Sequence, residues 1–232
     1  MTLKKHFPNF ITILNLLCGC LAIVASFNNN LVGASYFIGL AAIFDFLDGM
    51  FARLLNVKSE IGKQLDSLAD LISFGLAPGI IVFILLKNSN LSDFQIGNIN
   101  PIPFIAFLIP IFSALRLAKF NIDPEQTESF IGLPTPANAI FIASFPLILE
   151  YQSIEFVSNL IANTWFLFGL SILMSSLLVL KIPLFSLKFK TLKWIDNKKK
   201  YILLAISIIL LIFFKFLSIP LIIIIYILLS FF

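Results

Sequence analysis

The sequence predicts an all-α protein: a polytopic transmembrane helical bundle with a six-helix core and a C-terminal helical hairpin. Three observations predict it. Hydrophobic residues make up 59% of the chain and charged residues 12%, with a mean hydropathy of +1.03, which is too little polar surface for a water-soluble domain. Apolar runs approaching or exceeding the roughly 20 residues that cross a bilayer as helix recur along the chain. Lys and Arg concentrate in alternate connections between those runs, as expected when alternate loops face the cytoplasm.

The first run spans 10–27, after "MTLKKHFPN", with Pro8 marking its start. The opening resembles a secretory leader but lacks a small-residue cleavage site, so it is expected to stay as the first helix. Cys18 and Cys20 lie two apart within it, on nearly opposite faces, and cannot bridge each other. Further runs span 31–54, 62–87, 101–119, 133–149 and 160–181, the fifth opening on Pro134 and Pro136, residues suited to a first helical turn. The apolar tail 200–232 is too long for one upright crossing and is interrupted by "FFKFLSIP", with Lys215, Ser218 and Pro220. Two short helices turning there give eight crossings, whereas one tilted helix gives seven. The units are a membrane core, 1–181, a basic cytoplasmic loop, 182–200, and the hairpin, 201–232.

With Lys4 and Lys5 in the cytoplasm, Arg53, Lys58, Lys63, Arg116, Lys119 and the seven lysines from 181 to 200 share that side. The opposite loops, "FNNN", "NSNLSDFQIGNIN" and "EYQSIEFVSN", contain neither Lys nor Arg. The net charge of +4 therefore describes one face and points to anionic lipid rather than nucleic acid. The run "KFKTLKWIDNKKK" suits contact with such lipid, with Trp194 as an interfacial anchor, although a plain topology signal explains its lysines equally well. The expected location is the cytoplasmic (inner) membrane. With one histidine, His6, a Ser-His-Asp triad or a histidine metal site in the membrane has almost no material.

Against this background Asp45, Asp48, Asp66 and Asp70 stand out, because carboxylates at membrane depth are expensive and usually face a cavity or a cation. Asp45, Asp48 and Ala52 share one helical face, and Gly62, Asp66 and Asp70 recur at four-residue intervals on the next helix. The loop "NVKSE" makes the two helices antiparallel neighbours, so the four carboxylates can converge near their cytoplasmic ends. All-oxygen donors favour a hard divalent ion, Mg²⁺ or Mn²⁺, over zinc. Gly49 and Gly62 remove side chains where a ligand or a facing helix must come close, and Arg53 adds a permanent cation one turn beyond Gly49. Together these groups suit a diphosphate; helix packing is the ordinary alternative for either glycine alone.

The stretch "DFLDGMFARLLNVKSEIGKQLDSLAD" resembles the signature of the CDP-alcohol phosphatidyltransferase family, D-x-x-D-G-x-x-A-R-x8-G-x3-D-x3-D. Every fixed position matches: Asp45, Asp48, Gly49, Ala52, Arg53, Gly62, Asp66 and Asp70. Eight residues at set spacing make a specific signal. The resemblance covers roughly residues 5–181 and implies a membrane enzyme, generally a homodimer, that moves a phosphatidyl group from a CDP-linked lipid to an alcohol and releases CMP. Its active site would face the cytoplasm. Further segments, "FPNFITILNLLCG", "GKQLDSLADLISFGLAP", "ALRLAKFN" and "FIGLPTPANA", resemble the phosphatidylserine synthase branch, whose acceptor is L-serine. Asn138 departs from the small residue expected there. The glycine-rich "SFGLAPG" could equally be a flexible or a close-packed segment.

The resemblance and the residue chemistry together imply the following roles. CDP-diacylglycerol enters with its acyl chains in the bilayer and its diphosphate beside Gly49, Ala52, Arg53 and Gly62. Asp45, Asp48, Asp66 and Asp70 supply ligands for two divalent ions about 3.5–4 Å apart. Asp70 is the candidate general base as well as a ligand, the two roles not being separable by sequence. Asn9 and Thr12, near the start of the first helix, are candidates for the cytidine, or ordinary caps. Arg116 and Lys119 could hold the serine carboxylate, with Asn121 orienting the substrate; Lys119 serves equally as a topology anchor. Glycerol 3-phosphate, inositol phosphate or choline remain alternative acceptors. From other classes, a cation transporter would also bury carboxylates, but it needs no Gly49, Arg53 and Gly62 at these spacings, and no second segment repeats the acidic stripe. A non-catalytic scaffold is the remaining alternative, against which the intact acidic set argues.

Overall fold

Apolar runs in lipid can satisfy their backbone only as helices, and the computed structural model, described for residues 2–57, 59–89, 95–97, 99–122, 130–152, 154–185 and 193–231, is helical almost throughout. Lys58 and residues 186–192 of the basic segment lie outside the described residues. Helix α1 spans Thr2–Phe27 and runs through Pro8 rather than starting after it. The proline lacks an N–H, but this near the helix start that removes a single backbone bond. Helix α2, Leu31–Leu54, is capped by Asn30, whose side chain accepts from the Gly33 amide at 2.8 Å. Helix α3, Glu60–Asp70, is capped by Ser59 in the same way at 3.2 Å.

Directly after Asp70 the helix widens into a π-helical turn, Leu71–Leu76, and continues as α4, Ala77–Lys87. A 3₁₀ turn, Ile102–Phe107, leads into α5, Leu108–Ile122. Helix α6, Thr135–Tyr151, starts after Pro134 with Pro136 in its first turn, as expected from the sequence. A two-residue strand before it, β1 (Phe130–Ile131), pairs antiparallel with β2 (Pro183–Leu184). The helix expected over 160–181 is α8, Thr164–Val179, and a short helix in the stretch expected to be loop, α7, Glu155–Ile161, precedes it at 69°. The break has a cause, since Asn163 accepts a hydrogen bond from the Phe166 amide at 3.0 Å and so caps a new helix.

The tail forms α9, Trp194–Phe214, and α10, Ser218–Phe231. Helix α9 therefore begins inside the segment expected to be loop, with a local kink at Asn197. Between the helices Lys215 adopts φ 46°, ψ −122°, a left-handed excursion that no helix continues through. Gln152, at the end of α6, clasps this corner: its Nε2 donates to the Phe214 carbonyl and its Oε1 accepts from the Leu217 amide, both at 2.8 Å. From there α10 returns, bringing Tyr226 to the Phe185 carbonyl beside β2. The reversal is the hairpin expected from "FFKFLSIP". Among the described residues, five helical stretches are long and apolar enough to cross a membrane, six counting the bent α7–α8 pair. The expected eight is higher because it counted α6, at 17 residues, and the two arms of the tail separately.

The core lies around α4 and α6, where Phe74, Ile81, Leu86, Ile142 and Ile148 are buried. Small residues let the helices of this core close up. Built at Gly75 and Gly79, a Cβ would sit 3.1 Å from Ser113 and 3.0 Å from Pro110 of α5, so "SFGLAPG" is close-packed. Helix α1 also closes on the π-helical turn: a Cβ at Gly19 would lie 2.8 Å from the Ser73 Cα. Gly19→Ala must push backbone apart and is expected to destabilise the protein by about 1–3 kcal/mol, seen as a lower unfolding midpoint in detergent. An unchanged midpoint would show that α1 can retreat freely from Ser73.

Candidate active site

The acidic stripes of α2 and α3 face each other as their spacing requires. Carboxylate oxygens of Asp45, Asp48 and Asp66 lie within 4.8 Å of one another. They line a cleft of about 270 Å³ together with Asn9 and Thr12 of α1, Gly49 and Ala52 of α2, Val57, Ser59, Gly62 and Lys63. Thr12 donates its hydroxyl to Asp48 Oδ2 at 2.6 Å, so it reaches the acidic group while lining the cleft. One turn further along α1, Asn15 is fully buried and donates from Nδ2 to Asp70 Oδ1 at 3.1 Å. The sequence reading did not single out Asn15, although its three-residue step from Asn9 and Thr12 in an apolar helix was the available signal.

The two signature glycines have different surroundings. A Cβ at Gly49 would meet nothing within 4 Å, whereas one at Gly62 would fall 2.9 Å from Asn9 Oδ1. Gly49 therefore keeps space open in the cleft, and Gly62 lets the Asn9 side chain lie against α3. Arg53 does not line the cleft: it is exposed, and its Nε donates to the Gly49 carbonyl at 2.9 Å. Among the described residues the lining includes one cation, Lys63, whose Nζ donates to the Asn121 carbonyl at 2.9 Å.

Asp70 ends α3, is buried, and stands outside the group of three. It lies within electrostatic reach of Asp45, Asp66 and Arg116. Arg116 of α5 is 8% exposed, and its Nε has no hydrogen-bond partner. Lys119 is exposed. Asn121 donates from Nδ2 to Ser67 Oγ at 2.8 Å, and with the Lys63 contact this ties the end of α5 to α3. Of the three expected acceptor residues, then, only Arg116 is a buried charge next to the acidic group.

The donor set fits a hard divalent cation. Its three carboxylates bring only oxygen, and Lys63, the one cation among the described residues of the cleft wall, is already directed at a carbonyl. Two unit charges 4.8 Å apart repel by roughly 3–4 kcal/mol at an effective dielectric of about 20, so three ionised groups this close need a counter-charge. Arg116 of α5 is within electrostatic reach of Asp70, which stands outside the group of three.

Comparison with known proteins gives a consistent set of similarities. Residues 5–175 match the family model described as CDP-alcohol phosphatidyltransferase. The chain is 34% identical over 206 residues to the CDP-diacylglycerol–serine O-phosphatidyltransferase of Helicobacter pylori strain J99, covering 86% of this chain and 78% of that protein. It is 38% identical over 136 residues to the Bacillus subtilis protein of the same name, covering 57% of this chain and 70% of the relative. An archaetidylserine synthase of Methanothermobacter thermautotrophicus is 36% identical over 158 residues, 67% of this chain and 64% of its own.

Proposed function

Because the chain belongs to the CDP-alcohol phosphatidyltransferase family, we propose that it transfers the phosphatidyl group of CDP-diacylglycerol to the hydroxyl of L-serine, forming phosphatidylserine and CMP. The relatives named for serine transfer support the acceptor. The observation that carries the chemistry is the setting of Asp70, within electrostatic reach both of the cleft's carboxylates and of a buried arginine whose Nε has no partner among the described residues. The protein is integral to the membrane; the cytoplasmic membrane, a cytoplasm-facing site and homodimeric assembly complete the reading, the orientation supported by the one-sided lysines.

In this mechanism the donor diphosphate occupies the cleft, where open space at Gly49 and Ala52 admits it and Asn9 borders it. Asp45, Asp48 and Asp66, with Asp70 as a further candidate, would hold divalent ions. When bound, such ions supply positive charge that stabilises the diphosphate as it gains charge in the transition state. Thr12 fixes the Asp48 carboxylate, and Asn15 fixes that of Asp70. The serine hydroxyl oxygen forms a bond to the lipid-proximal phosphorus as that atom's bond to the bridging oxygen breaks. CMP leaves with the bonding electrons, and Asp70 takes the hydroxyl proton. Arg116 holds the serine carboxylate, directing the hydroxyl toward Asp70. Arg53, outside the cleft, is assigned to the approaching head group rather than to the reacting phosphorus.

The decisive assay is CMP release by purified protein in vesicles containing CDP-diacylglycerol, with acceptors compared in one preparation. Release only on adding serine is expected; preference for glycerol 3-phosphate or inositol phosphate would overturn the acceptor while leaving the transfer chemistry. Within that assay, Arg116→Ala should raise the serine KM by roughly 10- to 100-fold, the worth of a hydrogen bond to a charged group, with little change in CDP-lipid KM. Ethanolamine has no carboxylate, so it should be a poor acceptor for the native protein and lose relatively less in the variant. Equal losses for both acceptors would remove Arg116 from carboxylate recognition.

A further inference from the structure

Lys63 stands in the first turn of α3, three residues before Asp66, a spacing at which an ammonium and a carboxylate on one helix face can pair. It turns elsewhere: its Nζ donates to the Asn121 carbonyl of α5 at 2.9 Å. That contact closes a ring of hydrogen bonds. Asn121 Nδ2 donates to Ser67 Oγ at 2.8 Å, and Ser67 Oγ donates to the Lys63 carbonyl at 3.3 Å. The lysine is thus held at the point where the end of α5 is fastened to α3, while its side chain lines the cleft.

A carbonyl orients an ammonium without neutralising it, so the positive charge stays available for an anion. Lys63 is exposed, and an ammonium on a flexible stem has three hydrogens to give. Rotation of that side chain alone can exchange the carbonyl for a charged oxygen in the cleft. Arg53 is less well placed for this, since it lies outside the lining with its Nε on the Gly49 carbonyl. The position of Lys63 along α3 selects one part of a diphosphate ligand. It precedes Asp70 by seven residues, roughly 10 Å along a helix axis, and so sits far from the group assigned to the acceptor's proton. It directly follows Gly62, where an added Cβ would fall 2.9 Å from Asn9 Oδ1, and Asn9 is a candidate contact of the cytidine.

We propose that Lys63 binds the cytidine-side phosphate of the donor: its ammonium leaves the Asn121 carbonyl and hydrogen-bonds the phosphate that departs with CMP. This rests on the phosphatidyl-transfer reading. When the bond between the lipid-proximal phosphorus and the bridging oxygen breaks, the electron pair and the added negative charge go with CMP. Lys63 meets that charge and keeps its own protons. The contact is made to phosphate and not to the base or sugar, so CMP binding depends on it and cytidine binding does not.

The test follows lipid product formed from labelled acceptor in CDP-diacylglycerol vesicles with Mg²⁺, using CMP and cytidine as inhibitors. It compares native protein with Lys63→Gln, whose amide can still donate to the Asn121 carbonyl but carries no charge, and with Lys63→Arg. In Lys63→Gln the CMP inhibition constant and the CDP-lipid KM are expected to rise about tenfold, the order of one hydrogen bond to a charged group, with cytidine inhibition and serine KM within about twofold. Lys63→Arg keeps the charge and should hold CMP inhibition within about threefold of native. Unchanged CMP inhibition in Lys63→Gln overturns the proposal, as does an equal loss in both variants. Equal weakening of CMP and cytidine, or a rise in serine KM alone, also overturns it and marks Lys63 as a structural tie between α3 and α5. Native protein that accepts another alcohol in place of serine changes only the acceptor, and the same comparison is made with that alcohol. Native protein that forms product with no acceptor rejects the transfer reading and this proposal with it, before any variant is compared.

Discussion

Treatment with EDTA is expected to abolish serine-dependent CMP release by about a thousandfold or more, the scale on which preorganised charge stabilisation acts, and Mg²⁺ or Mn²⁺ to restore it. The reason lies in the wall of the cleft. Asp45, Asp48 and Asp66 bring their oxygens within 4.8 Å of one another, and Lys63, the cation beside them, is turned to the Asn121 carbonyl. Thr12 can satisfy one lone pair of Asp48, but a hydroxyl does not balance charge. Added Mg²⁺ should also raise the unfolding midpoint of chelated protein, because a ligand that binds only the folded state stabilises it. Asp45→Asn with Asp66→Asn should remove that shift. Full turnover after rigorous chelation would end the metal reading of the acidic group.

Asp70→Asn should bring an equally deep loss, about a thousandfold in transfer, while CDP-lipid affinity stays within a few-fold. The substitution preserves shape and burial and removes the proton acceptor. Asp70 is not among the residues lining the cleft, and its Oδ1 already accepts from Asn15; an asparagine can keep that contact. Donor affinity and turnover must be measured together, since a weaker donor affinity would identify Asp70 as a ligand too. Near-normal turnover in the variant would mean that another group or water takes the proton.

How much of this was legible depended on whether the signal was local. The carboxylate group followed from three- and four-residue steps on two helices joined by a short loop, and Asp45, Asp48 and Asp66 meet accordingly. Arg53 was placed by the same stepping but turned outward, because α2 ends at Leu54 and a side chain in its last turn can leave the cleft for the Gly49 carbonyl. Asn15 carried the same local signal as Thr12, yet its partner, Asp70, lies 55 positions away. Tyr226 had no local signal at all. Its contact with the Phe185 carbonyl depends on the corner at Lys215, a clasp from Gln152 and a strand pair that connects residues 130 and 184, none of which periodicity reports. The break before Thr164 was readable in principle, since Asn163 is a strong cap, but an apolar run on both sides concealed it.

The division of labour around Asp70 also bears on how such a protein can diverge. Helices α1, α2 and α3 hold the cleft and its carboxylates, while Arg116 stands on α5. Asp70 is where the two sets meet. Substitutions on α5 could therefore exchange one alcohol for another without disturbing the nucleotide half, whereas a change at Thr12 disturbs Asp48 of α2 and one at Asn15 disturbs Asp70 of α3. The scaffold is in this sense modular, with one half free to drift under selection for a new head group and the other half pinned by a leaving group that does not change.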